Sequence, residues 1–253
     1  MTSRVVAIAL LVIGAVAIAA GLGLRIFLTD DDGHHDGRSP TFALSSVEGA
    51  DELIVAVEDD GVVTVRIERA GQQLIDFNDV HDAPVHAYAV ADDGSWYAHV
   101  DPPLQADGTI APFELPAGPA RLVVHTSPGG GPDLQELGID IDVPSAGAEL
   151  PPGSTDNIAT DDEWTDGSLT VRRQGFDFVL SEPWNGDDYQ GGPALLAMFR
   201  LEDGAFVHEH AEVLDDDTRF RFAAELPGRG EYIGAVEFEQ NGELVTAVFR
   251  FDV

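Results

Sequence analysis

From about residue 42 onward, apolar and polar residues alternate in short runs and almost never recur at helical spacing. Leu53–Glu58 and Val62–Glu68 flank the turn signal Asp59-Asp60-Gly61. In the second run Val63, Val65 and Ile67 alternate with Thr64, Arg66 and Glu68, which places the apolar side chains on one face of a strand. Leu74–Phe77 predicts a further strand. Val85–Asp101 predicts a hairpin: His86, Tyr88 and Val90 alternate with Ala87 and Ala89, Asp92-Asp93-Gly94 tolerates the positive φ of a tight turn, and Trp96–Val100 returns. Phe113–Pro119 leads into a strand over Arg121–His125, and Ile139–Val143 closes this unit.

Pro144–Asp162 is rich in Pro, Gly, Ser, Thr and Asp, and predicts an interdomain linker. A second unit then repeats the first. Leu169–Val171 and Phe176–Leu180 are strands, Leu195–His210 echoes the earlier hairpin, and Glu225-Leu226-Pro227 echoes Glu114-Leu115-Pro116. Asn241-Gly242 is a strong type I′ signal. Around it Tyr232, Val236 and Phe238, then Val245, Ala247, Phe249, Phe251 and Val253, share a core-facing side, with Arg250 and Asp252 on the other. Short strands at this spacing predict an all-β chain of two tandem immunoglobulin-like β-sandwiches, 42–143 and 163–253, joined by a linker over 144–162.

The N-terminus departs from this pattern. Val5–Leu24 carries no charge and is long enough to span a bilayer as a helix. It predicts a cytoplasmic stub over 1–4, one transmembrane helix over 5–28, and an acidic linker over 29–41 that contains His34 and His35. The sandwiches then lie outside the cell. A cleaved signal peptide is the alternative, because Ala15-Val16-Ala17 and Ala17-Ile18-Ala19 fit a small-x-small site. Both place the bulk of the chain outside the cytoplasm.

Composition narrows the partners. Asp and Glu number 46 against 13 basic residues, all Arg, for a formal charge of −33. Such a chain repels nucleic acid. Its hydrophobic content of 44% supports packed cores, so the acid belongs to the surface, as in proteins that work in high salt. Cysteine is absent, which excludes disulfides, thiolate metal sites and thiol catalysis. No G-x-S-x-G, P-loop or H-E-x-x-H motif is present, and the chain is not read as an enzyme.

The candidate chemistry is histidine. A turn centred on Asp92-Asp93 sets His86 opposite His99, and one centred on Asp93-Gly94 sets it opposite Asp101. Either register puts His86, His99 and Asp101 on one face. His208 and His210, two apart, share a face in the same way. Imidazoles so placed can hold zinc or copper, and binding through them should weaken below about pH 6. The plainer reading makes them polar residues on a half-solvated sheet. His81 and His125 read as loop and strand residues, Trp164 and Trp184 as packing, and Asp187-Asp188 and Asp215–Asp217 as solvated turns.

Tyr97-Ala98-His99-Val100-Asp101 corresponds to Phe206-Val207-His208-Glu209-His210 at the return strand of each hairpin. With Leu115-Pro116-Ala117-Gly118, Arg121, and the closing Asn241-Gly242 to Thr246-Ala247-Val248-Phe249, these residues resemble the tandem extracytoplasmic β-sandwich proteins of the YtkA-like and CopC-like group. Asp101 stands where that pattern has a second histidine, and Leu195 and Val245 stand at two further histidine positions. The resemblance implies metal binding, copper ahead of zinc, with His86, His99 and Asp101 at one site and His208 and His210 at the other. A tandem structural or interaction module facing another envelope protein is the competing expectation. It would present an exposed aromatic patch around Trp96, Tyr97, Trp184 and Tyr189.

Overall fold

The computed structural model describes residues 51–253 except 60, 82, 130–134, 145–149 and 215–216, together with the backbone of 25–26 and 41–45. The described chain is all-β, with sheets packed in a sandwich-like manner. Val5–Leu24, His34 and His35 lie outside the described residues. Among the described residues no helix is long and apolar enough to cross a membrane. Arg25 and Ile26, which the hydropathy reading assigns to the anchor, form a short strand instead.

The first unit is two facing sheets. One runs β1 (Arg25–Ile26), β2 (Thr41–Ser45), β3 (Asp51–Val57), β4 (Val62–Arg69), β5 (Gln72–Gln73), with β9 (Phe113–Glu114) also on β4. The other runs β11 (Gln135–Val143), β10 (Gly118–Pro128), β7 (Val85–Ala91), β8 (Tyr97–Val100), β12 (Ser154–Thr155), with β6 (Phe77–Asn78) on the end of β10. The alternation of β3 and β4 turns Leu53, Val55, Val63, Val65 and Ile67 inward onto Ala87, Ala89, Leu122, Val124 and Ile141. The strand expected over Leu74–Phe77 does not form: Leu74–Asp76 are irregular between β5 and β6, and only Phe77 is extended, at the start of β6.

The second unit is one nine-stranded sheet, in the order β13 (Ile158–Ala159), β21 (Glu243–Asp252), β20 (Glu231–Gln240), β17 (Leu195–Arg200), β18 (Phe206–Leu214), β19 (Arg219–Phe222), β16 (Asp177–Leu180), β15 (Leu169–Gln174), β14 (Glu163–Asp166). It folds over at β18. Residues 206–210 pair with β17, whereas 211–214 pair with β19. Phe178, Phe220, Phe238 and Phe249 fill the space enclosed. The β20–β21 hairpin turns at Asn241 and Gly242 with φ of 57° and 80°, as a type I′ turn requires. Tyr232, Val236, Phe238, Ala247, Phe249 and Phe251 are buried on the expected face. Val253 is not: it is 52% exposed, tied to Gly230 only through backbone hydrogen bonds.

The predicted linker carries structure. Within it β12 adds to β8 of the first unit, and β13 adds in parallel to β21 of the second. The segment thus straps both units.

A third apolar layer lies between the units. Tyr88, Val90, Tyr97 and Val123 pack on Leu195, Ala197, Phe199, Ile233, Ala235 and Val248. Strand β7 is consequently buried on both faces, Val85 and its alanines in the first core and Tyr88 and Val90 in this layer. Fully burying a large apolar side chain is worth roughly 1.5–3 kcal/mol, so contacts of this number hold the units as one body. Trp96 and Tyr97 are buried, and Trp184 and Tyr189 are half-buried, so the expected aromatic surface patch does not form.

Candidate metal centre

The apolar layer gives way at one end to histidine, through strand register. In the first hairpin Tyr88 faces His99 and Val90 faces Tyr97, which continues to His86 opposite Asp101. This is the register of a turn centred on Asp93-Gly94, but the loop is four residues long, closed by Ala91 N–H donating to the Trp96 carbonyl. On the other side of β7, His125 of β10 faces His86 directly. From the second unit β18 brings His208 and His210, whose two-residue spacing points both rings into the layer. His81 arrives on a tight turn in which Val80 and Ala83 exchange backbone hydrogen bonds. Six of the eight histidines therefore meet in one place, with ring centroids 4.3–6.3 Å apart along the chain of contacts.

Two three-ligand groups stand out. His86, His99 and Asp101 form one, and His81, His208 and His210 the other; in each, one donor atom per residue lies within 4.8 Å of the others. Of the five residues expected from sequence, the structure brings His86, His99 and Asp101 together in one group and His208 and His210 together in the other. Sequence alone reads His81 and His125 as ordinary loop and strand residues, and the structure places both in the cluster. For His125 the signal was available, because Arg121, Val123 and His125 alternate along the strand beside β7. For His81 there was none, since its position depends on the path of an irregular turn.

The two groups differ in bonding. His86 lies 2.6 Å through Nδ1 from Asp101 Oδ1 and 2.6 Å through Nε2 from the Val80 carbonyl. His99 Nδ1 lies 2.6 Å from Glu237 Oε2, a carboxylate of the second unit, and its Nε2 lies 3.0 Å from Asp101 Oδ1. That last contact is off hydrogen-bonding alignment and leaves Nε2 without a partner. Tyr88 stacks on the His99 ring at 4.1 Å. Gln190 Nε2 donates to Asp101 Oδ2 at 2.9 Å. In the other group His210 Nε2 approaches His81 Nε2 to 3.2 Å, while His208 Nε2 and His210 Nδ1 have no partner. His125 is fully buried, edge-on to His208, with neither ring nitrogen bonded.

The charges follow. Burial by itself would lower the pKa of His99, but Glu237 and Asp101 outweigh it and raise it to about 9. Asp101 resists burial in the same way, held below the usual carboxylate range by the His86 and His99 rings beside it. Burial, then crowding by neighbouring imidazoles, lowers His125 to about 4 and His208 to about 2, and lowers His210 as well. Lowered pKa values favour neutral rings at His208 and His210, the form in which histidine binds metals.

Two turns cover the cluster, one from each unit. His81 and Gln190 sit at φ of 51° and 50°, a left-handed conformation uncommon outside glycine. Gly191 (φ 91°) lies against His81, and a Cβ there would stand 2.6 Å from His81 Nδ1. Only glycine leaves that imidazole in place.

A family model described as a domain of unknown function, DUF8832, matches residues 159–253. No curated protein matches the chain. The matched segment carries His208, His210 and Glu237 but none of the first unit's ligands, so in this chain the histidine layer draws on residues beyond the domain that DUF8832 describes.

Proposed function

We propose that this chain binds or buffers a transition metal, copper ahead of zinc, in the histidine layer between its two immunoglobulin-like units. On this reading Val5–Leu24 anchors it to the membrane and both units lie outside the cytoplasm. The observation that carries the proposal is the convergence of six imidazoles and Asp101 in a largely buried layer, several of their nitrogens without a partner. A buried polar atom without a partner costs about 1–3 kcal/mol, which a bound ion would offset. A nitrogen- and oxygen-only donor set suits copper(II) and zinc and gives no advantage to ions that prefer thiolate. An interaction module would need an exposed recognition surface, and of the aromatic patch expected for one, Trp96 and Tyr97 are buried and Trp184 and Tyr189 half-buried.

The test is isothermal titration of Cu(II), then Zn(II), into the full chain at pH 7.5 in molar NaCl, beside His99→Ala and the double variant His208→Ala/His210→Ala. Micromolar or tighter binding that each variant reduces supports the reading. Binding weaker than that, or indifferent to both variants, removes it.

A further inference from the structure

We infer that Glu237, a second-unit residue, is the positioning residue for a divalent centre made by His86 Nδ1, His99 Nε2 and Asp101 Oδ1 of the first unit. This rests on the metal-binding reading and deepens it.

The argument is one of protons. A neutral imidazole has one N–H and one lone pair. The Val80 carbonyl only accepts, so His86 carries its proton on Nε2. Its Nδ1 then faces Asp101 Oδ1 at 2.6 Å. Glu237 likewise accepts from His99 Nδ1, which leaves Nε2 facing the same oxygen at 3.0 Å. Where an ion takes the place of inner protons, three electron-pair donors converge while both outer N–H groups stay bonded. A dication among the three completes the set and keeps both outer hydrogen bonds. The alternative places protons, not an ion, between these atoms.

The geometry suits the first account. A tetrahedral metal with bonds of 2.0–2.2 Å keeps its donors about 3.3–3.6 Å apart, so Asp101 Oδ1 must move from the two rings, now 2.6 and 3.0 Å away, by roughly 0.3–1 Å, within the reach of side-chain rotation. Gln190 engages Asp101 Oδ2 and leaves Oδ1 for the ion. Glu237 is 1% exposed, and Thr246 Oγ1 lies 3.4 Å from its other oxygen, so the acceptor is fixed. Carboxylates that accept the outer N–H of a ligand histidine set its tautomer and strengthen its donor nitrogen. Charge points the same way. A dication with Asp101 and Glu237 is balanced, whereas the His81, His208 and His210 group supplies imidazole alone. The first equivalent of a divalent ion should enter the Asp101 centre.

The experiment is long-range ¹H–¹⁵N correlation of the imidazoles in the full chain at pH 7.5, metal-free and with one equivalent of Zn(II), alongside zinc affinities of wild type, Glu237→Gln and Glu237→Leu. The first equivalent should leave one proton on His99, at Nδ1, and one on His86, at Nε2. Glu237→Leu should weaken that equivalent about 10–100-fold and release the His99 tautomer, with Glu237→Gln, which keeps an acceptor without its charge, in between. The inference is overturned if zinc moves only the signals of His81, His208 and His210 and leaves His86 and His99 doubly protonated. It is overturned too if Glu237→Leu binds within twofold of wild type with the His99 signature unchanged. The wild-type spectra decide the first point even if a variant fails to fold. Absence of zinc and copper binding in wild type would instead remove the metal-binding reading itself.

Discussion

Replacing His125 by leucine should stabilise the metal-free protein, although it removes a fully buried residue from the heart of the cluster. His125 is held between the two sheets of the layer, edge-on to His208 at 4.5 Å and 6.1 Å from His81 and His86. Its ring is neutral at pH 7.5, because burial and the neighbouring imidazoles keep its pKa near 4. A neutral ring has one donor and one acceptor, and here both go unmet. Leaving buried polar groups unpaired costs about 1–3 kcal/mol. Leucine is close to histidine in volume and has no such groups. The edge-on contact with His208 subtracts about 0.5–1 kcal/mol. The net gain is on the order of 1–2 kcal/mol. At roughly 2–4 °C per kcal/mol for a chain of this size, the unfolding midpoint should rise by about 2–8 °C. The assay is thermal unfolding with a chelator present, at pH 7.5 in molar NaCl. A midpoint lowered by several degrees would show that a water or side chain satisfies the ring, and would refute the reasoning.

The pH dependence of the metal-free protein should be two-sided, with greatest stability near pH 6.5. His125, His208 and His210 have lowered folded-state pKa values, so the stability present above 6.5 is lost as pH falls toward about 4 and then about 2; His99 is raised to about 9, so its contribution is full below 6.5 and is lost as pH rises through 9. Each group changes stability by up to about 1.4 kcal/mol per pH unit, and three act on the acid side against one on the alkaline side, so denaturant midpoints should fall more steeply between pH 6 and 5 than between 7 and 8. Equal slopes would contradict this assignment. Gly191→Ala should weaken metal binding at His81, His208 and His210 by tenfold or more, because the added Cβ displaces His81, while the Asp101 centre keeps its affinity; titration calorimetry separates the two. Phe199→Ala should cost about 3–5 kcal/mol in chelator, measured by denaturant unfolding, since that ring is fully buried between the units. Raising NaCl from 0.1 to 1 M should raise the melting temperature, as the Debye length falls from about 10 Å to about 3 Å over a chain of charge −33.

Much of the fold was legible because it is local. The Asn241-Gly242 turn, the alternation of Val63, Val65 and Ile67, and the faces of β20 and β21 follow from residue-by-residue chemistry. Strand pairing then put His86, His99 and Asp101 on one face, and His208 and His210 on another, without tertiary information. What stayed hidden is what those faces meet. Sequence periodicity cannot distinguish a sheet face covered by water from one covered by another sheet, and β7 is buried on both sides. The clue lay in composition: Tyr88, Val90, Tyr97, Phe199 and Val248 are too apolar for a solvated face, and each occupies an outward position of its own sandwich. Once the two outward faces close on each other, the histidines at their common edge have no water to turn to. Each must then find a proton donor, a proton acceptor or an ion within the layer. His99 finds Glu237 across the junction and His86 finds Val80, whereas His125 and His208 retain nitrogens with nothing opposite. The metal-binding reading therefore depends on how two faces, each ordinary by itself, leave unpaired nitrogen where they meet.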